Sequence, residues 1–434
     1  MEVVRVLRSF RLENHRSFRD EHELLLMPAY AKEREALPVV AIYGANASGK
    51  SNLLDGLRFM ADAVKNSFAS WGPDAGVVGR RAFKLDAGKW GEPSTFVVEL
   101  IQDGVRYTYG IEVDDERVLE EWLYSYPEKR KRVLFERIGD EIKFGSTLEE
   151  SKSVLEVLEK TLRPNSLLVS LAAQLNVAWV LPVYRWCVNS LRFRESTDGL
   201  VLEFEIASFF QKRPELSQEL VGLVRAADVG IDDVVVVRDE GVESSAVRDL
   251  VVDEISDLGK FHRALDIVGW GGRRRPRVQV VHHGCSEPFL LEEESAGTRS
   301  WLSVLPSVLA VLRDGGCLII DEIDASLHPL LTMRLISLFN DPHANPAGGQ
   351  LIFTTHDATL LNAPFSEEVL ARDEVWFVEK ERESGASSLY PLTDFKPRTE
   401  DNLERRYLAG RYGAVPELFE DKFAEVVRGG RGEA

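Results

Sequence analysis

The run GANASGKS, residues Gly44–Ser51, decides the fold class of this chain of 434 residues. It fits the pattern G-x-x-x-x-G-K-[S/T], follows the apolar run PVVAIYG and precedes the helical pattern SNLLDGLRFMADAV. A strand, a glycine-rich loop and a helix in this order are what a phosphate-binding loop requires, because its backbone N–H groups and the helix N-terminus face the phosphate oxygens. The motif predicts an α/β fold in which Lys50 reaches the outer phosphates and Ser51 ligates magnesium.

A second signal is the apolar strand CLIIDE, which ends in Asp321 and Glu322. In a parallel sheet, Asp321 would lie beside the loop and hold magnesium, and Glu322 would polarise an attacking water. Taken alone, a strand that ends in Asp-Glu is more often a solvated strand end. The order of the neighbouring elements favours the chemical interpretation here.

Two further elements flank this strand. Upstream, ESAGT places Ser295 and Gly297 at the start of an apolar helix, in which Pro306 predicts a bend. Downstream, LIFTTHD is an apolar strand that ends at His356. A plain N-cap role for Ser295 is the alternative to a ligand-binding role, and the two roles can coexist.

The charge balance of the chain limits the classes of protein to consider. Acidic residues outnumber basic ones, 71 to 53, and the net charge is −18, which argues against a surface that binds polyanions throughout. Two short basic runs, Lys129–Arg132 and Arg273–Arg277, are candidates for local nucleic-acid contact. Solvated turns explain them at least as well, because no aromatic residues interleave with them for base stacking.

The location of the protein follows from its termini and cysteines. The start lacks the pattern of a secretory signal, and three cysteines are too few for a disulfide framework, so we expect a cytoplasmic protein. The stretch between Arg163 and Arg185 carries no charge. We interpret it as a buried core helix followed by a strand rather than a membrane span, because Gln174, Asn176 and Pro182 interrupt it.

Together these motifs resemble the ABC-type ATPase heads of the SMC, RecF and overcoming-lysogenization-defect class. The opening FRLENHRSFRD is similar to the N-F-x-S-F start of those heads, with His15 in place of the usual aromatic residue. More closely, the set YGANASGKSNLL, ESAGT, IDEIDASLHP, TTHD, DEVWFVEK and RYLAGRYGAVP resembles the AAA-type ATPases of bacterial abortive-infection and anti-phage operons, the RloA-like group. The resemblance implies a P-loop NTPase fold of the ABC-ATPase type.

The expected architecture is a mixed central sheet with an antiparallel β subdomain and a helical insertion. Asp103-Gly104 predicts a hairpin within the β-rich part, and the absence of a sustained heptad repeat argues against a long coiled coil. Four regions are predicted: an N-terminal ATPase lobe with the P-loop and the antiparallel strands (1–190), an α/β middle region (191–285), a C-terminal ATPase lobe (286–400) and a C-terminal tail (401–434).

The resemblance also implies ATP and Mg²⁺ as ligands, with roles for single residues. Glu322, Lys50 and His356 would be catalytic, and Ser51 and Asp321 would hold the metal. Asp324 would belong to a loop at the dimer interface, and the glutamine of the magnesium shell is left open between Gln174 and Gln102. The expected nucleotide-binding residues are Gly44, Ala45, Asn46, Ala47, Ser48, Gly49, Lys50, Ser51, Asn52, Arg16 and, toward the ATP of a second subunit, Ser295 and Gly297.

The function implied by the resemblance is an ATPase that forms a homodimer around nucleotide and regulates a partner effector in anti-phage defence. Related nucleases carry a nuclease domain after the ATPase, and the segment after His356 is too short for one, so we expect the effector to be a separate protein. A higher oligomer is left open. The alternatives are a RecF-like ATPase that binds DNA and a nucleotide-gated scaffold with negligible hydrolysis.

Overall fold

The computed structural model describes residues 5–30, 34–194, 199–227, 230–237, 276–362, 369–398 and 401–416. Its strands are β1 (Arg5–Glu13), β2 (His22–Leu25), β3 (Val39–Tyr43), β4 (Ser94–Gln102), β5 (Val105–Val113), β6 (Val118–Tyr126), β7 (Arg132–Ile138), β8 (Glu141–Phe144), β9 (Leu191–Arg194), β10 (Ile231–Val237), β11 (Arg277–His282), β12 (Phe289–Leu290), β13 (Cys317–Ile320), β14 (Gln350–Thr355), β15 (Val375–Lys380) and β16 (Ser387–Pro391).

The α-helices alternate with these strands mainly in the second half of the chain. They are α1 (Lys50–Asn66), α2 (Lys152–Thr161), α3 (Leu168–Gln174), α4 (Leu181–Arg185), α5 (Gly199–Lys212), α6 (Ser217–Ala227), α7 (Ala296–Asp314), α8 (Ile323–Ser326), α9 (Pro329–Asn340) and α10 (Leu403–Leu408). The longest described helix, α7, has 19 residues and continues through Pro306. No described helix is therefore long enough for an extended coiled coil.

The first sheet is antiparallel and has seven strands in the order β2-β1-β4-β5-β6-β7-β8. The predicted hairpin is confirmed: β4 and β5 pair in register, and Asp103 and Gly104 between them have φ values of 53° and 78°. Two consecutive residues with positive φ are what a tight hairpin turn of this kind requires. The sequence thus predicted this hairpin and the presence of an antiparallel subdomain correctly.

The second sheet has six strands in the order β16-β15-β3-β14-β13-β9, and all but the edge strand β16 run parallel. Tyr43 lies opposite Thr355, and Ile320 lies opposite both Phe353 and Arg194. The strands β3, β14, β13 and β9 therefore end at the same edge of the sheet. Ligands of open parallel sheets bind at this carboxyl edge, so the register prepares a site there.

Both faces of this central sheet are buried, which explains why its strands are almost continuously apolar. On β3, Val40 and Ile42 face a core shared with the antiparallel sheet, α1 and α3. Val39, Ala41 and Tyr43 face a second core, shared with α5, α6, α7 and α9. The alternation of side chains along the strand thus connects two layers through one sheet.

A third sheet, β10-β11-β12, covers part of the second core. Its last strand, Phe289–Leu290, lies beyond residue 285, and β9 from the predicted middle region pairs with β13 in the central sheet. The four predicted region boundaries stay a prediction. Residues 238–275, including Arg273–Arg275, and 417–434 lie outside the described residues.

The uncharged stretch between Arg163 and Arg185 forms two helices, α3 and α4, rather than one helix followed by a strand. Asn176 has a φ of 55°, and Pro182 begins the second helix, so the chain turns where a single helix was expected. A π-helical turn, Trp186–Ser190, then precedes β9. In the described part of the chain, we find no helix with the length and apolar character needed to span a bilayer.

Candidate functional site

The GANASGKS loop connects the end of β3 to the start of α1 and passes very close to neighbouring backbone and side chains. A Cβ atom at Gly44 would collide with the carbonyl oxygen of Val378 and would stand 2.6 Å from the hydroxyl of Ser48. Gly49 has a φ of 115°, and a Cβ atom there would stand 2.6 Å from the hydroxyl of Ser17. Both glycines are therefore required by this loop conformation.

The side chain of Lys50 folds back over this loop and is 5% exposed. Its ammonium donates to the carbonyl oxygens of Gly44, at 2.9 Å, and Ala45, at 3.1 Å. It also lies 3.3 Å from Nε2 of His356 at the end of β14. Burial lowers the pKa of Lys50, and the carboxylates of Glu322, Asp321 and Asp324 oppose that shift.

The two acidic residues that follow β13 are exposed, and one hydroxyl group of β14 contacts the carboxylate of the first and the backbone of the second. Thr354 Oγ1 accepts a hydrogen bond from the backbone N–H of Glu322, at 2.7 Å, and donates to Asp321 Oδ1, at 2.5 Å. Glu322 itself has a φ of 51° and a ψ of 59°, a left-handed conformation that costs free energy in a residue other than glycine. Thr354 was not identified from the sequence, although it lies within LIFTTHD.

Asp324 is connected to the same edge through the backbone of His356. The N–H of His356 donates to both carboxylate oxygens of Asp324, at 3.3 and 3.2 Å. The predicted residues Lys50, Asp321, Asp324 and His356 are thus brought together at one end of β3, β13 and β14. Their roles toward a ligand, and the place of Asp324 in a dimer interface, stay predictions.

A hydroxyl cluster that the sequence analysis did not identify supports the loop from behind. The hydroxyl oxygen of Ser387 on β16 lies 2.5 Å from the carbonyl oxygen of Ser48 and 2.7 Å from Ser17 Oγ. Asn52 Nδ2 on α1 donates to Ser17 Oγ at 2.7 Å. Ser17 is part of the FRLENHRSFRD opening, but nothing in the sequence near Ser387 indicates this contact.

Arg16 lies near this cluster, with its guanidinium held by a carboxylate of α1. Both Nη2 and Nε of Arg16 donate to the carboxylate of Asp55, and Nη2 lies 2.7 Å from Asp55 Oδ1. The buried His15 contacts the same carboxylate, with its Nε2 2.9 Å from Asp55 Oδ2. Burial alone would raise the pKa of Asp55, but the hydrogen bonds of His15 and Arg16 offset it and lower this pKa to about 2. A contact of Arg16 with nucleotide stays a prediction.

Ser295 and Gly297 are exposed at the start of α7. Ser295 Oγ accepts from the N–H of Thr298 at 3.1 Å, so the N-cap role is present. Among the described residues outside its own helix and chain neighbours, only Ser295 Oγ comes within 4 Å of a Cβ atom placed on Gly297, at 3.8 Å. Ser295 and Gly297 therefore combine an N-cap with exposure at the start of α7.

Neither candidate for the magnesium-shell glutamine is placed at the carboxyl edge by its contacts. Gln102 pairs with Arg5 on β1. The carbonyl oxygen of Arg5 accepts from the N–H of Gly316, which precedes β13. Gln102 therefore lies near the start of β13, at the edge of the central sheet opposite Asp321. Gln174 is exposed at the end of α3. Ser170 of this helix accepts from the N–H of Phe68, which follows the C-terminal end of α1. The P-loop lies at the other end of α1, so α3 packs far from it.

The residues present fit a nucleotide with Mg²⁺. Ser48 Oγ is buried in the loop and has no hydrogen-bond partner among the residues that the structure describes, which leaves a donor for a phosphate oxygen. Ser51, Asp321 and Glu322 are exposed and offer oxygen atoms, the ligands that Mg²⁺ prefers. Lys50 supplies a positive charge next to them.

Residues 39–362 match the family model described as "AAA domain, putative AbiEii toxin, Type IV TA system". The chain belongs to this family. The AAA assignment agrees with the P-loop that the motifs predicted. No curated protein matches the chain.

Several solved structures are similar to this AAA domain at low identity. The SMC head domain from Thermotoga maritima has a TM-score of 0.40 at 12% identity, over 89% of this chain and 98% of that one. An SMC head bound to the C-winged helix domain of ScpA has a TM-score of 0.44 at 13% identity, over 90% of this chain and 99% of that one. The structure of the recombination mediator protein RecF with ATP has a TM-score of 0.38 at 12% identity, over 90% of this chain and 99% of that one.

Proposed function

We propose that this AAA domain binds ATP with Mg²⁺ and hydrolyses it. The observation that carries the proposal is the convergence of Lys50, the Asp321-Glu322 pair and His356 at the carboxyl edge of one parallel sheet. Phosphoryl transfer depends mainly on positioning and on stabilisation of negative charge, and these residues supply both. Bound Mg²⁺ would neutralise phosphate charge, with Ser51 and Asp321 as its ligands.

The remaining residues act around this charge. Lys50 stabilises negative charge on the outer phosphates, and Gly44–Asn52 supply the N–H groups and side chains of the phosphate cradle. Glu322 orients the attacking water, and Thr354 fixes its backbone and the carboxylate of Asp321. His356 senses the terminal phosphate from its position beside Lys50.

The test is phosphate release by the purified chain and its Glu322→Gln variant. We expect the variant to release phosphate at least about 100-fold more slowly and to keep ATP affinity, because only the water-orienting carboxylate is lost. Glu159→Gln, an exposed residue of α2, is the control and should match the unchanged chain. Equal rates for Glu322→Gln and the unchanged chain would refute the catalytic assignment.

We further propose that two copies close around two nucleotides, with Ser295 and Gly297 of one copy facing the P-loop of the other. The exposure of this end of α7 supports the proposal. Light scattering of Glu322→Gln should give a dimer mass with ATP and a monomer mass without it. Adding Ser295→Arg should abolish the dimer, whereas Ser153→Arg on α2 should not.

The partner is proposed to be an effector protein in anti-phage defence, since the family description names a toxin of a toxin–antitoxin system. Expression of the chain with its neighbouring genes should lower phage plating, and Lys50→Ala should remove that protection. Plating that is unchanged by the intact operon would argue against a defence role.

A DNA-binding ATPase of RecF type is the second candidate, favoured by the exposed basic residues Lys129–Lys131 beside β7. It predicts a mobility shift of DNA that requires ATP and weakens steeply with salt. Dimerisation with ATP but without phosphate release would instead support the nucleotide-gated scaffold.

A further inference from the structure

A cavity of about 300 Å³ opens beside the edge hairpin of the central sheet, formed by β15 and β16. It lies on the face of β15 that carries Phe377, and no predicted site residue lines it. The lining residues are Glu379, Tyr390, Asp394, Phe395, Tyr412 and Gly413.

Three aromatic rings form the walls of this cavity. The rings of Tyr390 and Phe395 lie 5.8 Å apart, and those of Phe395 and Tyr412 lie 5.1 Å apart at an interplanar angle of 67°. Phe377 stacks behind Tyr412 at 5.6 Å and fixes that wall. Phe395 is half exposed, so a face of the cavity is open to a ligand from solvent.

Two carboxylates share the cavity with these rings. Glu379 accepts from the hydroxyl of Tyr390, at 3.1 Å, and from the N–H of Ala414, at 3.2 Å, and the carboxylate of Asp394 is exposed. In the part of the chain that the structure describes, neither carboxylate pairs with a lysine or an arginine. The cavity therefore concentrates negative charge against the negative faces of aromatic rings.

Tyr412 adds an independent sign of a missing partner. It is 2% exposed, it lines the cavity, and its hydroxyl has no hydrogen-bond partner among the described residues. Buried hydroxyl groups are normally hydrogen-bonded, so this wall of the cavity holds a polar group whose partner the described residues do not supply.

We propose that this cavity binds the guanidinium group of an arginine on a protein partner. A guanidinium is planar, stacks on aromatic faces and offers forked N–H donors to carboxylates, so it satisfies the rings of Phe395 and Tyr412 together with Glu379 and Asp394. A lysine ammonium is more strongly hydrated and cannot stack, which makes it the weaker ligand. The inference deepens the proposed function by naming how the partner is recognised.

The cavity is joined to the P-loop through β15, which two glycines approach closely. Gly44 packs against the carbonyl oxygen of Val378, the residue before Glu379. On the cavity side, a Cβ atom on Gly413 would stand 2.7 Å from Glu379 Oε2. Occupation of the P-loop and occupation of the cavity thus act on neighbouring residues of one strand, β15.

The test uses the full chain and the peptide acetyl-Gly-Arg-Gly-amide, observed by saturation-transfer NMR and titration. We expect the guanidinium-bearing side chain to receive saturation, and the corresponding lysine and citrulline peptides to bind at least about fivefold more weakly. Asp394→Asn and Phe395→Ala should each weaken the arginine peptide by about tenfold, because each removes a charge-assisted or stacking contact. Glu383→Gln, an exposed carboxylate in the same hairpin, is the matched control and should bind normally.

Melting curves of all variants establish that each is folded. Equal binding of the arginine and citrulline peptides, or normal binding by both Asp394→Asn and Phe395→Ala, would overturn the proposal. A separate ATP titration of the unchanged chain keeps the two proposals distinct. Binding of ATP without the arginine peptide refutes the cavity alone, whereas binding of the peptide without ATP refutes the nucleotide function alone.

Discussion

The ammonium of Lys50 and Nε2 of His356 lie 3.3 Å apart, although 306 positions separate the two residues in the chain. Lys50 has only N–H donors to offer, so Nε2 of His356 is the acceptor in this contact. The position of His356 at the end of β14 therefore ties the lysine of the loop to the neighbouring strand.

His356→Ala removes this contact and should lower phosphate release at least about tenfold, because the lysine loses the side chain that fixes its position. ATP affinity should fall less than the rate does. Steady-state rates and a nucleotide titration measure the two effects separately. His343→Ala, an exposed histidine after α9, should change neither quantity. A loss of affinity as large as the loss of rate would contradict a role for His356 in the chemical step.

Thr354→Val keeps the shape of a fully buried side chain but removes the hydroxyl that contacts Asp321 and Glu322. Asp321 and the backbone of Glu322 then lose the group that positions them, and we expect phosphate release to fall about tenfold because catalysis depends on the placement of these residues. Thr332→Val on α9 is the matched control, because within the described ranges its buried hydroxyl has no hydrogen-bond partner to lose. An unchanged rate for Thr354→Val would show that the hydroxyl does not orient the carboxylates.

The sequence predicted the parts of this site that depend on local pattern. The P-loop, the carboxylates after β13 and His356 after β14 each follow an apolar strand, and parallel pairing brings such strand ends to one edge. Thr354 could not be selected in the same way. Its hydroxyl reaches Asp321 only because Ile320 and Phe353 are in register, and several registers fit two apolar strands equally well.

Contacts between distant segments were also beyond the sequence. Ser387 supports the carbonyl oxygen of Ser48 across 339 positions, and neither residue differs from an ordinary serine in its local pattern. The pairing of Arg16 with Asp55 likewise depends on how the N-terminal strand crosses α1. Tertiary packing, rather than local propensity, decides such pairs.

Gly49→Ala should destabilise the chain and abolish ATP binding. An alanine at a φ of 115° is strained, and its Cβ atom would collide with the hydroxyl groups of Ser17 and Ser387. Gly222→Ala is the opposite case, since no described residue beyond its own helix and chain neighbours lies within 4 Å of a Cβ atom placed there in α6. That control should raise stability by about 0.5–1 kcal/mol. Thermal unfolding and a nucleotide titration compare the stability and ATP affinity of the two variants. Normal ATP binding by Gly49→Ala would contradict the loop geometry.

Asp55→Asn should lose stability in a way that depends on pH. The pKa of Asp55 lies at about 2 in the folded chain, below its ordinary value of 3.8. A carboxylate whose pKa is lowered in the folded chain stabilises the fold at pH values above its ordinary pKa. This contribution is lost as the pH falls toward 2. The shift corresponds to roughly 2 kcal/mol at neutral pH, and about 1 kcal/mol of it should disappear between pH 5 and pH 3.

Urea unfolding of the chain and of Asp55→Asn across this range measures the difference. Asp140→Asn is the control, because Asp140 pairs with Arg117 at the surface and is 74% exposed. A surface pair of this kind contributes about 0–1 kcal/mol, so the free energies of unfolding of the unchanged chain and Asp140→Asn should differ little at every pH. A constant difference for Asp55→Asn down to pH 3 would contradict the pairing with His15 and Arg16.

Glu121 on β6 joins the antiparallel sheet to α3 and should be the most sensitive carboxylate of the first core. It is fully buried, accepts from the N–H groups of Leu168, at 2.6 Å, and Val169, at 3.0 Å, and lies 3.6 Å from Nη1 of Arg137. Removing one partner of a buried ion pair leaves the other charge without compensation. We expect Glu121→Ala to lower the free energy of unfolding by about 3 kcal/mol or more.

Glu120→Ala is the matched control, because Glu120 is the preceding residue and points to the other face of β6. Its side chain makes no hydrogen bond with the described residues, so its removal should change the free energy by less than about 0.5 kcal/mol. Urea unfolding followed by circular dichroism measures both variants. Because Glu121 holds the start of α3, its loss should also increase hydrogen exchange at Leu168 and Val169 before the rest of the core opens. Equal stability of the two variants would mean that this carboxylate does not anchor α3 to the sheet.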